Sequence, residues 1–292
     1  MIDFPLIGGS FLVAIVVGLT GMGGGALMTP MMMLFFNVPP LAAVSSDLVA
    51  SAVMKPVGSV VHLRRGTVNL RLVGWLCAGS VPTAFCGVFL ARAFAVSDAV
   101  KYALGVALLL AVAGMALKAW LGTRGGTSST HDIVVRPIPT LLVGMVGGLV
   151  VGVSSVGSGS LIIVALLVLY PALKANQLVG TDLVQAVPLV TAAALGHLLF
   201  GDFQMDLTVS LLIGSIPGVY LGARISSRAP GGLIRALLAI VLLASALKLL
   251  DASNTLTVWA LVAATAVTVA GWRWRRRPSD QAASPSETVS TH

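Results

Sequence analysis

The chain has 292 residues, 57% hydrophobic and only 10% charged, with a mean hydropathy of +0.99, and a soluble domain needs far more polar surface than this. Its formal charge of +8 lies in short loops and in the basic run 273–277, the distribution of cytoplasmic membrane loops and not of a nucleic-acid surface. Cys77 and Cys86, the two cysteines, sit nine residues apart on one predicted helix; at about 100° per residue they face opposite ways, so they neither pair nor offer metal-ligand spacing.

The first apolar stretch, 6–36, has 31 residues, too many for one untilted span and too few for two at ~20 each. It carries Gly18-Leu-Thr-Gly-Met-Gly-Gly-Gly-Ala-Leu27 near its middle. No basic n-region and no Ala-x-Ala-like cleavage site accompany it, so it is expected to stay in the protein. Spans of ordinary length follow at 41–63, 72–91 and 99–120. A linker rich in Gly, Ser and Thr leads to a second over-long stretch, 138–169, with 32 residues and Gly152-Val-Ser-Ser-Val-Gly-Ser-Gly-Ser-Leu161 near its middle. Further spans are predicted at 177–199, 207–226, 233–250 and 255–272, and the tail beyond Pro278 reads as disordered.

A shift of 135 residues lays the second half on the first: Asp47 falls on Asp182, His62 on His197, Gly66 on Gly201, Gly79 on Gly214, Pro82 on Pro217 and Gly87 on Gly222. The two glycine-rich runs coincide with one residue of slippage. Duplication with a glycine-interrupted hydrophobic segment at the same place in each half points to a transporter whose substrate sits between the repeats. Both long stretches read as re-entrant helical hairpins, their irregular tips tolerated because they line a cavity.

Loop charges set the orientation. The loop 64–71 has three arginines and no acid, whereas its repeat partner 200–206 has Asp202 and Asp206 and no base, so the two halves are expected to face opposite ways. The fold class is therefore an all-α integral membrane protein of two inverted repeats. Each is a re-entrant or broken glycine-rich hairpin plus three transmembrane helices, and one extra C-terminal transmembrane helix follows. The corresponding domains are 1–121, a linker 122–137, 138–250, 251–277 and a cytoplasmic tail 278–292. The alternative is a parallel repeat in which each long stretch makes one tilted crossing.

If the hairpins form, N–H groups around Gly23, Gly24, Gly25 and Ala26, and around Ser158, Gly159 and Ser160, point into the protein, and helix N-termini bind anions. Thr20 adds a hydroxyl in the first half and Ser154, Ser155, Ser158 and Ser160 add theirs in the second; the other reading of these small residues is close helix packing. Lys55 is a lone cation deep in an apolar span, before Pro56, and an intramembrane cation is a functional-site hypothesis by default. Ser51, Lys55, Ser59 and His62 share one helical face, and Val190 stands at the repeat position of Lys55. Lys55 either serves an anion or pairs with Asp47. His62 and His197 either shuttle protons or close helix ends. Asp47 and Asp182 are either coupling or gating groups or N-caps of their helices. Gln185, one turn after Asp182, is a further polar candidate.

At these residues the chain resembles the TauE/SafE sulfite-exporter family of membrane permeases. The resemblance rests on Gly21-Met-Gly-Gly-Gly25 with Thr29-Pro30, on Ala43-Val-Ser-Ser-Asp-Leu48, on His62-Leu-Arg-Arg-Gly66, and on echoes at Gly180-Thr-Asp182, His197 and Gly214-Ser-Ile-Pro217. It implies export, or in some members uptake, of sulfite, sulfonates and related anions across the bacterial inner (plasma) membrane. The second run, Val156-Gly-Ser-Gly-Ser160, departs from the triple glycine. The expectation is thus a multi-pass secondary transporter, an anion exporter for sulfite or an organosulfonate or carboxylate, using the lipid bilayer, a small anionic substrate and a coupling proton or sodium ion, with a homodimer as its assembly. No cofactor, metal or nucleic acid is expected. The rival reading is a membrane-embedded enzyme or assembly factor, against which stands the lack of any nucleophile elbow, paired Cys or His-x-x-x-His in the spans.

Overall fold

The computed structural model describes residues 3–20, 24–94, 98–121, 134–157, 159, 161–173, 175–226 and 231–275. The described chain is helical from end to end: α1 (Phe4–Thr20), α2 (Gly25–Phe35), α3 (Pro40–Arg64), α4 (Leu70–Ala93), α5 (Ala99–Leu121), α6 (Pro137–Ser154), α7 (Leu161–Leu169), α8 (Ala175–Phe200), α9 (Met205–Ser226), α10 (Gly231–Leu249) and α11 (Asn254–Arg275). Five of these are long and apolar enough to cross a membrane by length and composition, namely α4, α5, α6, α8 and α9. The protein is an all-α, multi-pass membrane protein. It divides into two units, Met1–Ala252 and Ser253–His292.

Local chemistry sets the ends. Asp3 Oδ1 accepts from Leu6 N–H at the start of α1 and Asn69 Oδ1 from Leu72 N–H at the start of α4, each satisfying a donor that helix geometry leaves without a partner. Gly66, at φ 63°, ends α3, with Thr67 N–H returning to the His62 carbonyl, a six-to-one closure that favours glycine at its left-handed position. At the far end of the same unit Lys101 Nζ lies 2.7 Å from Asp251 Oδ1, and Tyr102 donates to Oδ2. The Lys101 and Tyr102 hydrogen bonds hold the Asp251 carboxyl below the usual carboxylate range.

Both over-long stretches are broken at or just past their centres, between Thr20 and Gly25 and between Ser154 and Leu161, but their limbs are unequal. The first limbs run 17 and 18 residues and the second limbs 11 and 9, and α6 is itself long enough to cross a membrane. Gly18 and Gly152 stay helical because each faces a neighbouring backbone instead of bending its own. The break in the second stretch comes where left-handed residues accumulate, at Ser155 (φ 58°), Gly157 (φ 121°) and Gly159 (φ 109°).

The packing repeats with the sequence. In α4 a Cβ at Gly79 would strike the Leu141 carbonyl and Met145 N of α6, and in α9 one at Gly214 would strike the Ile7 carbonyl and Phe11 N of α1. Gly87 meets Leu149 and Gly152; Gly222 meets Ile15 and Gly18. The partners in α6 and α1 are offset by 134 residues throughout. The first helix of each half is thus laid along the fourth helix of the other, backbone against backbone, and rising numbers match rising numbers, so both pairs run parallel. Between α3 and α8 the match is reversed: Ser45 meets His197, and Ser59 meets Leu183. The antiparallel sense also holds for α5 and α10, where Lys101 meets Asp251 and Gly105 meets Leu250 and Ala246. α4 lies parallel to α8, since Asn69 meets Thr181, Ser80 meets Gln185 and Val88 meets Gly196.

These contacts separate glycines that matter from those that do not. Gly148→Ala would drive its methyl into the Ser80 carbonyl and Thr83 Oγ1 and should cost about 1–3 kcal/mol by overpacking. Gly74→Ala meets nothing within 4 Å and should gain about 0.5–1 kcal/mol of helix stability. Melting temperatures of the two purified variants in detergent should move in opposite directions.

Candidate functional site

α3 and α8 cross within the first unit with their polar residues turned inward. Asp47 is 1% exposed and its Oδ2 accepts from both Thr29 Oγ1 of α2, at 3.2 Å, and Ser155 Oγ at the break after α6, at 2.5 Å. Its Oδ1 faces Gly24, where an added Cβ would lie 3.6 Å away, with Met28 and Met54 on the other sides. At Gly25 an added Cβ would collide with the Ser155 carbonyl. The two helix breaks are therefore in contact, with the Asp47 carboxylate held at the start of α2.

Lys55 is buried two turns along α3, and the charges acting on it are those of Asp182 first and Asp47 second. Ser51 lies between them on the same face, 2% exposed. Gln185 is fully buried; its Nε2 donates to Ser80 Oγ of α4, 3.0 Å away, and its Oε1 has no hydrogen-bond partner among the described residues. The structure thus brings together Gly24, Gly25, Asp47 and Ser155, with Ser51, Lys55, Asp182 and Gln185 continuing the buried polar tract on α3 and α8. Gly159 belongs to the second break. Gly23, Ser158 and Ser160 lie outside the described residues, as does the Thr20 side chain.

The N-cap reading of the two aspartates is overturned. α3 begins at Pro40 and α8 at Ala175, so Asp47 and Asp182 are interior residues more than a turn from their helix starts. Proline fits the first turn because its missing N–H has no acceptor there, and this moves the start of α3 ahead of the Ser-Ser-Asp motif. Ser59 does not line a path: its hydroxyl bonds the Lys55 and Leu183 carbonyls and pins α3 to α8.

The histidines close helix ends. His62 Nδ1 meets Thr67 Oγ1 at 2.9 Å within the turn that ends its own helix. His197 is fully buried, with Nε2 2.8 Å from the Gly152 carbonyl and Nδ1 2.8 Å from Ser45 Oγ. Because a carbonyl only accepts, Nε2 carries the proton and caps a last-turn carbonyl of α6, while Nδ1 reaches α3. Sequence reasoning had not singled out Thr29, Ser45 or Ser80 as contact groups. Ser80 carried a signal, since Ser215 stands 135 residues later; Thr29 is visible only once α2 folds against α3.

A multi-pass helical bundle in which two broken helices meet beside buried carboxylates and an ammonium defines a membrane transporter. Residues 6–249 match the family model described as Sulfite exporter TauE/SafE, and the chain belongs to that family. It is similar to the Probable membrane transporter protein YjnA of Bacillus subtilis (strain 168), 36% identical over 82% of this chain and 96% of the relative. It is also similar to Probable membrane transporter protein YdhB of the same organism, 25% identical over 75% and 89% of the two chains, and to Probable membrane transporter protein ORF9 of Sinorhizobium sp, 28% identical over 81% and 89%. No solved structure matches. Membership makes the chain a multi-pass secondary transporter of small anions of the sulfite and organosulfonate class, and not an enzyme.

Removing the ammonium tests the charge cluster. Lys55→Met leaves two buried carboxylates without their cation, and breaking a buried pair this way should cost about 3–5 kcal/mol. Asp182→Asn in that background should restore more of the melting temperature than Asp47→Asn, because the Asp182 charge acts more strongly on Lys55.

Proposed function

We propose that this protein exports a small sulfur-containing oxyanion such as sulfite, or an organic sulfonate or carboxylate, by alternating access at a site between the two helix breaks. The observation that carries the reading is the meeting of Gly25 with Ser155 next to Asp47: two irregular backbone segments, one from each half, converge with hydroxyl donors on a buried charge. First-turn N–H groups of α2 and the hydroxyls of Thr29, Ser51 and Ser155 form the donor set for the anion, with Lys55 as its cation. Gly24, Gly25 and Gly159 permit the close backbone approach. Gln185 closes the far side of the tract.

The topology in this proposal is two inverted repeats with re-entrant second limbs. Corresponding helices of the duplication, α3 with α8 and α5 with α10, run antiparallel, as repeats of opposite orientation require. α6 and α8 both run parallel to α4, so the chain between them must return, and α7 is the element that carries it back; α2 does the same by correspondence. A proton or sodium gradient as driving force and assembly as a homodimer belong to the same proposal.

Single cysteines at Arg65 and Asp202, both exposed, in a background lacking Cys77 and Cys86 should be labelled from opposite sides of the membrane by an impermeant thiol reagent. Labelling of both from one side would establish a parallel repeat. Reconstituted in proteoliposomes, the protein should move labelled sulfite or ethanesulfonate against its gradient when a proton or sodium gradient is imposed. Absence of flux for every member of a panel of sulfite, sulfonates and carboxylates would overturn the function.

A further inference from the structure

We propose that Asp47 is a tethered competitor of the transported anion, so that the anion binds only when Asp47 carries a proton and each anion crosses together with that proton. The inference rests on the anion-transport reading above and deepens it by assigning the coupling ion and its carrier.

The geometry is that of an occupied anion site. A carboxylate and a sulfonate seek the same partners, hydroxyl donors and the positive end of a helix. Asp47 holds Ser155 Oγ and Thr29 Oγ1 on one oxygen and turns the other toward Gly24 at the start of α2. Leu27 and Met28 N–H groups return to the Gly24 carbonyl, and the N–H groups before them have no intrahelical acceptor by helix geometry. An ionised Asp47 and a substrate anion cannot share these donors. A protonated Asp47 can release them, because a neutral carboxyl needs fewer donors and can itself donate to the anion.

Charge counting gives the same result. The other titratable groups on α3 are Lys55, His62 and Arg64; among the described side chains of the elements packed against it they are Asp182 and His197 on α8, Asp206, Tyr220 and Arg224 on α9, and Lys101 and Tyr102 on α5, while α2 has none. Of these, Lys55 is the one whose charge acts on Asp47, and Lys55 is drawn more strongly to Asp182. One ammonium against two carboxylates leaves the tract at minus one, and a monoanion would take it to minus two in a low-dielectric interior. With a proton on Asp47 the empty tract is neutral and the loaded one is minus one. The proton therefore enters with the anion, from the same side, and leaves with it; for a monoanion this symport is electroneutral, so export runs on the outward gradient of anion and proton together, and a proton gradient directed inward favours uptake.

The test uses the full chain in detergent with ethanesulfonate, which stays a monoanion across the working pH range and so contributes no protonation of its own. In weakly buffered solution at a pH above the titration of Asp47 the wild type should take up about one proton per anion bound, and its affinity should fall about tenfold for each further pH unit. Asp47→Asn should bind ethanesulfonate with an affinity independent of pH and take up no proton. Ser155→Ala, which removes a donor common to both anions, should weaken binding. Should Asp47→Asn not fold, proton uptake by the wild type decides the matter alone. Binding without proton uptake, or an Asp47→Asn protein that keeps the wild-type pH slope, overturns the coupling role and leaves anion transport standing. No ethanesulfonate or sulfite binding by any variant at any pH overturns both.

Discussion

The rest of the structure depends on backbone-to-backbone contact between α1 and α9 and between α4 and α6. Lipid gives no hydrophobic force to press helices together, so association rests on close packing and on weak C–H···O contacts that small residues allow. Here Gly79, Gly87, Gly144, Gly148 and Gly152 serve one pair, and Gly214, Gly218 and Gly222 the other. At each of these a single methyl would collide with a carbonyl or a neighbouring backbone. The consequence is topological as well as energetic. Each broken stretch has its first limb fixed to the other half of the chain, and its break is thereby delivered to the common interior instead of to lipid.

Burying charge in that interior is costly, and the surrounding contacts show how the cost is met. Asp47 has two hydroxyl donors and a helix start, and the charges that act on Lys55 are those of Asp182 and Asp47. The helices that carry these charges are held in register by further polar contacts: Ser59 ties α3 to a carbonyl of α8, and His197 ties α8 to the last turn of α6 and to Ser45 of α3. A histidine is suited to this position because it can serve two different partners with two ring nitrogens, one of them necessarily a donor. Its protonated nitrogen caps a carbonyl that would otherwise be without a partner at the break.

Much of the fold was legible in the sequence because a membrane leaves few solutions. Spans read from apolar runs agree with the helices to within a few residues, and over-long apolar stretches with glycine clusters did prove to be broken. What failed were inferences from local motif alone. Ser-Ser-Asp looks like a helix start, but Pro40 begins the helix two turns earlier. The glycine runs do hold the breaks, after Thr20 and after Ser154, but Gly18 and Gly152 at their leading ends remain helical because their missing side chains make room for a neighbour. Glycine as a breaker and glycine as a contact are the same letter, and only the partner backbone distinguishes them. Thr29 and Ser155 as joint donors to one carboxylate were beyond reach, since 126 residues separate them and nothing in spacing predicts their meeting.

The scaffold is symmetric in packing and asymmetric in chemistry, and that combination bears on mechanism. Glycine contacts recur from one half to the other with a fixed offset, which suits the alternating access proposed above, where two related arrangements need similar energy. The polar residues recur only in part: Asp47 and His62 have counterparts in Asp182 and His197, but others differ in kind or in contacts. Lys55 corresponds to buried Val190, Gln185 to Ala50, and Ser80, bonded to Gln185, to Ser215, whose hydroxyl has no partner among the described residues. Two equivalent anion sites would require two buried cations, and among the described residues Lys55 is the one buried lysine or arginine. On the function proposed above, this favours a single substrate position off the symmetry axis, with Asp47 and the first break on its anion-binding side. Exchange of the two halves' conformations would then change which membrane face this one position meets without changing its ligands, so that affinity on the two sides differs through the protonation of its carboxylate and not through a second set of contacts.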